Sequence, residues 1–229
     1  MRIFLSLVVL AVIAVGIGKT LMEIPFGEDT TNVGGYYIQS GRDDTGAANI
    51  VTSVVVGYRA FDTLGEVTVL FVAAVGLGAV LAVGSASGRR RDVEPASLVL
   101  YTGCRFLFPL ILLFGAYIFI HGHLTPGGGF QGGAIVASAF LLVYLGCRGR
   151  RIRHGWSKAT ESLGGLVFVG LGLLGLTAAG HFFLSNYLPK GTVNHLFSAG
   201  IIPIIYVAIG FKVGAELAGV IDDLVEESE

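Results

Sequence analysis

The sequence predicts an all-α, polytopic membrane protein with about six transmembrane helices. Three observations carry this prediction: 53% of the 229 residues are hydrophobic, 35 are glycine, and only 14% are charged. Soluble domains carry about 25% charged residues, so a chain of this composition cannot cover a water-facing surface. The formal net charge of −1 supplies no field that attracts nucleic acid, and we expect no nucleic-acid partner.

Six apolar runs are candidates for membrane spans, since a helix needs about 20 mainly apolar residues to cross the hydrocarbon core. The first run also has the layout of a signal peptide, but we interpret it as a retained anchor. The polar segment 23–48 predicts an extracytoplasmic loop, and residues 49–58 fit either an interfacial helix or a strand. The six runs cover residues 3–18, 61–84, 98–120, 133–145, 163–184 and 196–220.

The basic residues predict the orientation, because short cytoplasmic loops carry the Lys/Arg excess. Arginine clusters occupy the connections after the second and fourth runs, whereas residues 121–132 contain no lysine or arginine. With an even number of spans, this distribution predicts that both termini are cytoplasmic. The clusters comprise Arg89, Arg90, Arg91, Arg148, Arg150, Arg151, Arg153 and Lys158.

Two prolines fall inside predicted spans. Pro109 removes the helical hydrogen bond to the carbonyl of Arg105, and Pro203 does the same to the carbonyl of Ala199. Both spans are therefore predicted to kink.

Ionisable residues in an apolar span face protein, water or a partner chain by default. In a helix, Arg59, Asp62 and Glu66 share one stripe, where the arginine can neutralise part of the carboxylate charge. Glu66 lies one turn deeper and is the stronger candidate for a proton-carrying group. The alternative interpretation places Arg59 and Asp62 at the membrane surface as anchors.

A second pair, Lys212 and Glu216, is spaced to meet on one helix face. Gly210 and Gly214 form a GxxxG pattern beside it, which permits close approach of another helix. This combination predicts a buried contact within a larger assembly, and the alternative is a pair near the headgroups.

The most unusual string is HGHLTPGGGFQGG, residues 121–133. Its proline and glycines predict a tight re-entrant turn between the third and fourth spans. The spacing of His121 and His123 fits no zinc motif, and we expect no metal. His154, His181 and His195 are interpreted as interfacial or solvated, and Cys104 and Cys147 as small apolar fillers.

Residues 98–220 resemble the MnhB/MrpB family of small membrane subunits, found in multisubunit Mrp-type sodium/proton antiporters and related membrane-bound hydrogenases. The turn string carries this resemblance. The string NIVTSVVVGYRAFDTLGEVTVL, residues 49–70, is similar to the E subunit of membrane-bound hydrogenases and to the C-terminal end of the Mrp A subunit. The expected domains are an E-like segment 1–88, a basic cytoplasmic linker 89–97 and a B-like domain 98–229.

The resemblance implies a non-redox subunit of a complex that exchanges protons for sodium ions. Its partners would be other Mrp or hydrogenase subunits and the lipid bilayer, and no cofactor ligand set is found in the sequence. Asp62 and Glu66 fall on the family's FDTLGE string, which implies a role in or beside the ion path. The family's turn maps to His121, His123, Pro126, Gly127, Gly128, Gly129 and Phe130, and continues through Gln131, Gly132 and Gly133.

Two functions remain open at this point. In the first, the chain contributes carboxylates and histidines to an ion pathway. In the second, it is a structural adaptor, and larger antiporter-like subunits move the ions. A stand-alone enzyme is disfavoured, because the sequence offers no nucleophile, base and oxyanion arrangement.

Overall fold

The computed structural model describes residues 2–24, 32–84, 96–147, 154–178 and 182–228. These ranges are helical throughout apart from connections, and six of their helices are long and apolar enough to cross a membrane. The cluster arginines 89–91 and 148–153 and His181 lie outside the described residues. The helices are α1 (Arg2–Glu23), α2 (Asn32–Thr45), α3 (Ile50–Thr52), α4 (Ala60–Gly84), α5 (Leu98–Ile120), α6 (Gly129–Gly146), α7 (His154–Ala178) and α8 (Ile202–Ser228).

The chain divides into two compact units, residues 1–36 and 37–229. The first contains α1, an apolar helix of 22 residues that is long enough to cross a membrane. In the second unit α8 is central and packs against α4, α5, α6 and α7. Its core includes Phe168, Ile201, Ile205, Ile209 and Val213, all essentially inaccessible to solvent.

The structure corrects one segment between the first two spans and decides between two alternatives for the next. The polar segment 23–48 contains the helix α2, so the prediction of a loop there was incomplete. Residues 49–58 are helical rather than extended: α3 begins after the N-cap Asn49 and continues as a π-helix, Ser53–Tyr58. Thr63 donates a 2.6 Å hydrogen bond to the carbonyl of Val55 in that π-helix. A π-helical turn frees backbone groups for such contacts, and it is common at functional sites.

The last two spans are shifted relative to prediction. The fifth crosses between Gly155 and Ala178 instead of 163–184, and the sixth begins at Ile202 instead of Leu196. Pro203 therefore lies in the first turn of α8, where its missing N–H costs no helical bond, and the predicted kink was wrong. The carbonyl of Ala199 accepts hydrogen bonds from the Ile202 N–H and the Asn186 side chain, each 3.1 Å long. Helix α5, in contrast, continues through Pro109.

Residues 182–201 form the connection between α7 and α8, and Asn186 holds it together. Its side-chain oxygen accepts from the N–H of Ile201 at 3.2 Å, while its amide reaches the carbonyl of Ala199. Lys190 donates to the carbonyl of Asp43 at 3.0 Å, which ties this connection to α2. The start of α8 is thereby fixed against the segment that precedes α4.

Candidate functional site

The pair Lys212–Glu216 lies inside the helix bundle. The Lys212 Nζ donates to the Glu216 Oε2 across 2.6 Å, and the two side chains are only 7% and 1% exposed. The second carboxylate oxygen, Oε1, is buried without a hydrogen-bond partner among the described residues. The predicted pairing is present, and both residues lie near the middle of the candidate span Ile202–Val225.

Helices α7 and α4 pack closely around this pair. On α7, a Cβ added to Gly164 would lie 2.7 Å from the carbonyl oxygen of Ala208 and 3.1 Å from the Lys212 Cβ. Only glycine lets α7 approach α8 this closely. From α4, the ring of Phe71 lies 5.7 Å from the Lys212 Nζ, within the range of a cation–π contact. The charged pair is therefore enclosed by residues of three helices.

The GxxxG glycines beside the pair are used within the chain. A Cβ on Gly210 would lie 2.5 Å from the Phe119 ring of α5, and one on Gly214 would lie 3.1 Å from Val136 of α6. The predicted close approach of another helix is present, and the approaching helices are α5 and α6 of the same chain. The glycine face joins α8 to the α5–α6 hairpin and leaves other surfaces for partner chains.

The acids of α4 have a different environment. Arg59 and Asp62 form a 2.5 Å ion pair whose side chains are 60% and 47% exposed, and Glu66 is exposed as well. Arg59 precedes α4 rather than lying on it, and its carbonyl accepts from the N–H of Asp62 at 2.9 Å. These groups lie at the outer surface of the chain, where lipid, water or a partner chain meets them.

The glycine-rich turn is shorter than predicted. It occupies residues 121–128, and α6 begins at Gly129 instead of about Gly133, so Phe130, Gln131, Gly132 and Gly133 are helical. Helix formation here follows from packing rather than propensity. A Cβ on Gly129 would lie 2.6 Å from the Ile209 Cβ, and one on Gly132 would lie 2.7 Å from the carbonyl oxygen of Gly115. Pro126 is exposed, while Gly127 and Gly128 complete the turn.

Residues that the sequence did not single out hold this turn in place. Asn49 donates to the carbonyls of Gly122 and Thr125 at 2.9 and 3.0 Å, and Thr52 donates to the Gly122 carbonyl at 2.8 Å. The hydroxyl of Tyr206 donates to that of Thr52 at 2.8 Å. An Asn directly before a helical segment was the available signal, because it is a preferred N-cap. The π-helical segment, the turn and α8 are thus joined by one hydrogen-bond network.

The two histidines of the turn differ in burial and in their contacts. His121 is half-buried, stacks on Tyr117 with 4.3 Å between ring centroids, and approaches the Tyr117 carbonyl with Nδ1 at 3.1 Å. His123 is fully buried, and its ring nitrogens have no hydrogen-bond partner within the described ranges. Burial lowers the pKa of His123 below the usual histidine value, an effect that nearby backbone carbonyls of His195 and Leu196 partly offset. Burial of His123 therefore favours its neutral form over its charged form.

Comparison with known proteins identifies the two parts of the chain. Residues 99–219, more than half of its length, match the model of a domain related to the MnhB subunit of Na+/H+ antiporters. The chain belongs to the MnhB family. Residues 3–85 match a second family model, MbhE, which describes the E subunit of MBH. This MnhB-family chain therefore carries both segments in one polypeptide.

Related proteins show the kind of assembly in which such chains occur. A chain in the structure of the membrane-bound sulfane sulfur reductase, an archaeal respiratory membrane complex, is 47% identical, with a TM-score of 0.84 and 98% of each chain covered. A chain of the Mrp complex from Dietzia sp. DQ12-45-1b is 30% identical with a TM-score of 0.75. That match covers 97% of this chain but 26% of the larger one. Protein MJ1307 of Methanocaldococcus jannaschii is 30% identical, and the match covers 74% of each chain.

These relationships establish the setting of the MnhB-family chain. It is a multi-pass protein of the prokaryotic cell membrane, and its partners are other subunits of Mrp-type or related membrane complexes.

Proposed function

We propose that this chain is a non-redox subunit of a cation/proton exchange module and that Lys212 and Glu216 are its intramembrane charge-carrying groups. The observation that carries the proposal is the near-complete burial of an ion pair within a membrane span. The relatives are subunits of an Mrp complex and of a respiratory membrane complex. Asp62 and Glu66 then act beside this pathway, on the face that meets partner subunits.

The cost of burial supports a functional role. Removing two charges from water costs several kcal/mol per ion, and a well-packed apolar pair of similar volume is often as stable or more stable. Stability alone therefore gives little reason to keep Lys212 and Glu216 inside the bundle. Ionisable residues at such positions commonly belong to ion or proton pathways.

The free carboxylate oxygen indicates how the pair would act. Lys212 occupies Oε2, so the buried Oε1 can accept a proton or contact a cation without first breaking the ion pair. Protonation of Glu216 would weaken its hold on Lys212, whose ammonium group keeps the Phe71 ring as a second contact. The pair can therefore exist in two charge states with limited rearrangement.

The competing function is a structural adaptor. One observation favours it: the crossing window of α4 is only 6% buried, so most of this helix is available to partner subunits. In that case ions would move through other subunits, and the charge of Glu216 would not affect exchange.

Substitution of Glu216 distinguishes the two functions. In inverted membrane vesicles that contain the assembled complex, Glu216→Gln is expected to reduce cation-driven proton exchange at least about tenfold, since an amide cannot carry the proton. Assembly is followed by native gel electrophoresis and is expected to fall less than for a variant without any acceptor, because the amide oxygen still accepts from Lys212 although the counter-charge is lost. Exchange is therefore compared at equal amounts of assembled complex. Asp223→Asn, seven residues along the same helix, is the matched control and should exchange normally.

Two further variants keep the test decisive. Glu216→Asp keeps the carboxylate on a side chain that is one methylene shorter, and it should retain part of the exchange. This variant remains informative if Glu216→Gln assembles poorly. Glu66→Gln removes an exposed carboxylate and should reduce exchange with full assembly. Normal exchange by an assembled Glu216→Gln complex would instead assign this chain the adaptor role.

A further inference from the structure

A further carboxylate, that of Glu161 on α7, lies on the side of its helix that meets the buried ion pair of α8. Ser157, one turn before it, donates a 2.9 Å hydrogen bond to the carbonyl of Ala215. Gly164, one turn after it, packs so closely that an added Cβ would lie 3.1 Å from the Lys212 Cβ. Residues three and four apart share one face of a helix, so Glu161 lies on the face of α7 that contacts α8.

These contacts also fix the level of Glu161 along α8. The later contact on α7 meets an earlier residue of α8, since an added Cβ on Gly164 would also lie 2.7 Å from the carbonyl oxygen of Ala208. Helices α7 and α8 are therefore antiparallel, and Glu161 lies level with the segment of α8 that contains the ion pair. Its carboxylate is close enough to that of Glu216 for the two charges to repel each other.

Glu161 differs from Glu216 in its access to the membrane face. Glu161 is half-buried, whereas Glu216 is almost completely buried. Glu161 lies six residues after Gly155, where the candidate span of α7 begins, which corresponds to about 9 Å. Glu216 lies nine residues before Val225, the end of the span of α8 at the same face, which corresponds to about 14 Å. Glu161 is therefore nearer to this face than the buried carboxylate is.

The acceptor for a proton at this level is the Oε1 atom of Glu216. Lys212 occupies Oε2, while Oε1 is buried and has no hydrogen-bond partner within the described part of the chain. Buried polar atoms without a partner are rare, and each calls for an explanation. A carboxyl group on the adjacent helix, nearer to the membrane face, supplies one, because it can deliver the proton that Oε1 accepts.

We infer that Glu161 is the proton relay between Glu216 and the membrane face at which α7 begins. In the transfer step, the O–H bond of the Glu161 carboxylic acid breaks and an O–H bond forms on the Glu216 Oε1, directly or through one water molecule. The Glu161 carboxylate then takes up a proton from water at the membrane face. This inference rests on the proposed charge-carrying role of Glu216.

Exchange assays on variants of Glu161 test the relay. In inverted membrane vesicles, Glu161→Gln is expected to reduce proton exchange at least about fivefold per assembled complex, since an amide cannot pass on the proton. Glu161→Asp keeps a carboxyl group and should retain most of the exchange. Glu161→Ala, which suits a helix, provides the same test if the amide variant assembles poorly. Normal exchange by an assembled Glu161→Gln or Glu161→Ala complex would overturn the inference.

A second measurement separates proton transfer from a structural defect. If proton delivery has become slow in Glu161→Gln, heavy water should slow its exchange by a larger factor than it slows exchange by the parent. A structural defect would leave that factor unchanged, which would count against the relay. Asp223→Asn removes another half-buried acid near the same membrane face and should exchange normally. An equal loss in this control would mean that acids at this face act through their charge and not as a relay.

Comparison with Glu216→Gln keeps the two proposals distinguishable. Loss of exchange in both Glu216→Gln and Glu161→Gln supports the relay. Loss in Glu216→Gln together with normal exchange in Glu161→Gln leaves the charge-carrying pair in place and overturns the relay alone. Normal exchange in an assembled Glu216→Gln complex overturns the proposed function, and the relay with it.

Discussion

Two ion pairs within the described residues have similar geometry and opposite environments. Arg59–Asp62 and Lys212–Glu216 close over 2.5 and 2.6 Å, at sequence separations of three and four residues. The first pair is about half exposed, whereas the second is almost completely buried. Distance alone would rank them as equals. The two pairs differ in their contribution to stability because they differ in burial. Solvent screens an exposed ion pair, so it stabilises the fold little, whereas in a buried pair each charge offsets the desolvation cost of the other.

The largest expected effect is the loss of one buried partner. Lys212→Met leaves the Glu216 carboxyl without its counter-charge, and breaking a buried pair costs about 3–5 kcal/mol. We expect the thermal midpoint of the complex, or its assembled fraction, to fall markedly. Lys212→Met combined with Glu216→Leu should recover most of that stability, because an apolar pair packs without desolvated charge. A single variant as stable as the parent would show that water reaches this pair in the complex.

Close glycine packing around α8 gives the next effect. Gly129→Ala places a Cβ 2.6 Å from the Ile209 Cβ and 2.9 Å from the Tyr206 carbonyl oxygen. Overpacking of this kind costs about 1–3 kcal/mol, which thermal unfolding of the complex can measure. Gly103→Ala on α5 is the matched control, since its Cβ meets nothing within 4 Å and should be neutral or stabilising. Equal behaviour of the two variants would contradict the packing role of Gly129.

The same contrast explains what sequence can predict. Six spans follow from composition, and the pairing of Lys212 with Glu216 follows from helical spacing, because both are local properties. The burial of that pair depends on Gly164, 48 positions earlier in the chain. No local pattern reports such a contact.

The turn shows the same limit. Its glycines suggested a break as far as Gly133, yet packing against α5 and α8 starts the helix at Gly129. The hydrogen bonds of Asn49 and Thr52 to the turn span 70 positions or more and were not foreseen. Sequence identified the important strings, and tertiary contacts decided which of their residues are buried.

A smaller effect concerns His123, a buried residue whose ring nitrogens have no hydrogen-bond partner among the described residues. Since burial lowers its pKa, the folded chain binds this proton less readily than the unfolded chain. Stability contributed by neutral His123 is therefore present above the usual histidine pKa of about 6.5 and declines as pH falls below it.

The variant His123→Gln removes that titration. The difference in thermal midpoint between parent and variant complexes should change between about pH 7.5 and about pH 5.5, with the parent losing more stability. His121, half-buried on the same turn, supplies the control. The thermal midpoint of His121→Gln should fall with pH as steeply as that of the parent. If the thermal midpoint of the parent fell no more than that of His123→Gln, a neighbouring group in the complex would have to stabilise the charged ring.

The smallest expected effect belongs to the exposed pair. A double-mutant cycle with Arg59→Ala and Asp62→Ala should give a coupling of about 0.2–1 kcal/mol, the range for ion pairs open to solvent. The thermal midpoints of the four complexes provide the measurement, and raised salt should reduce the coupling. A coupling above about 2 kcal/mol would mean that a partner chain covers Arg59 and Asp62 in the assembly. Both pairs would then be buried in the assembly, and the exposed face of α4 would be the place where the partner binds.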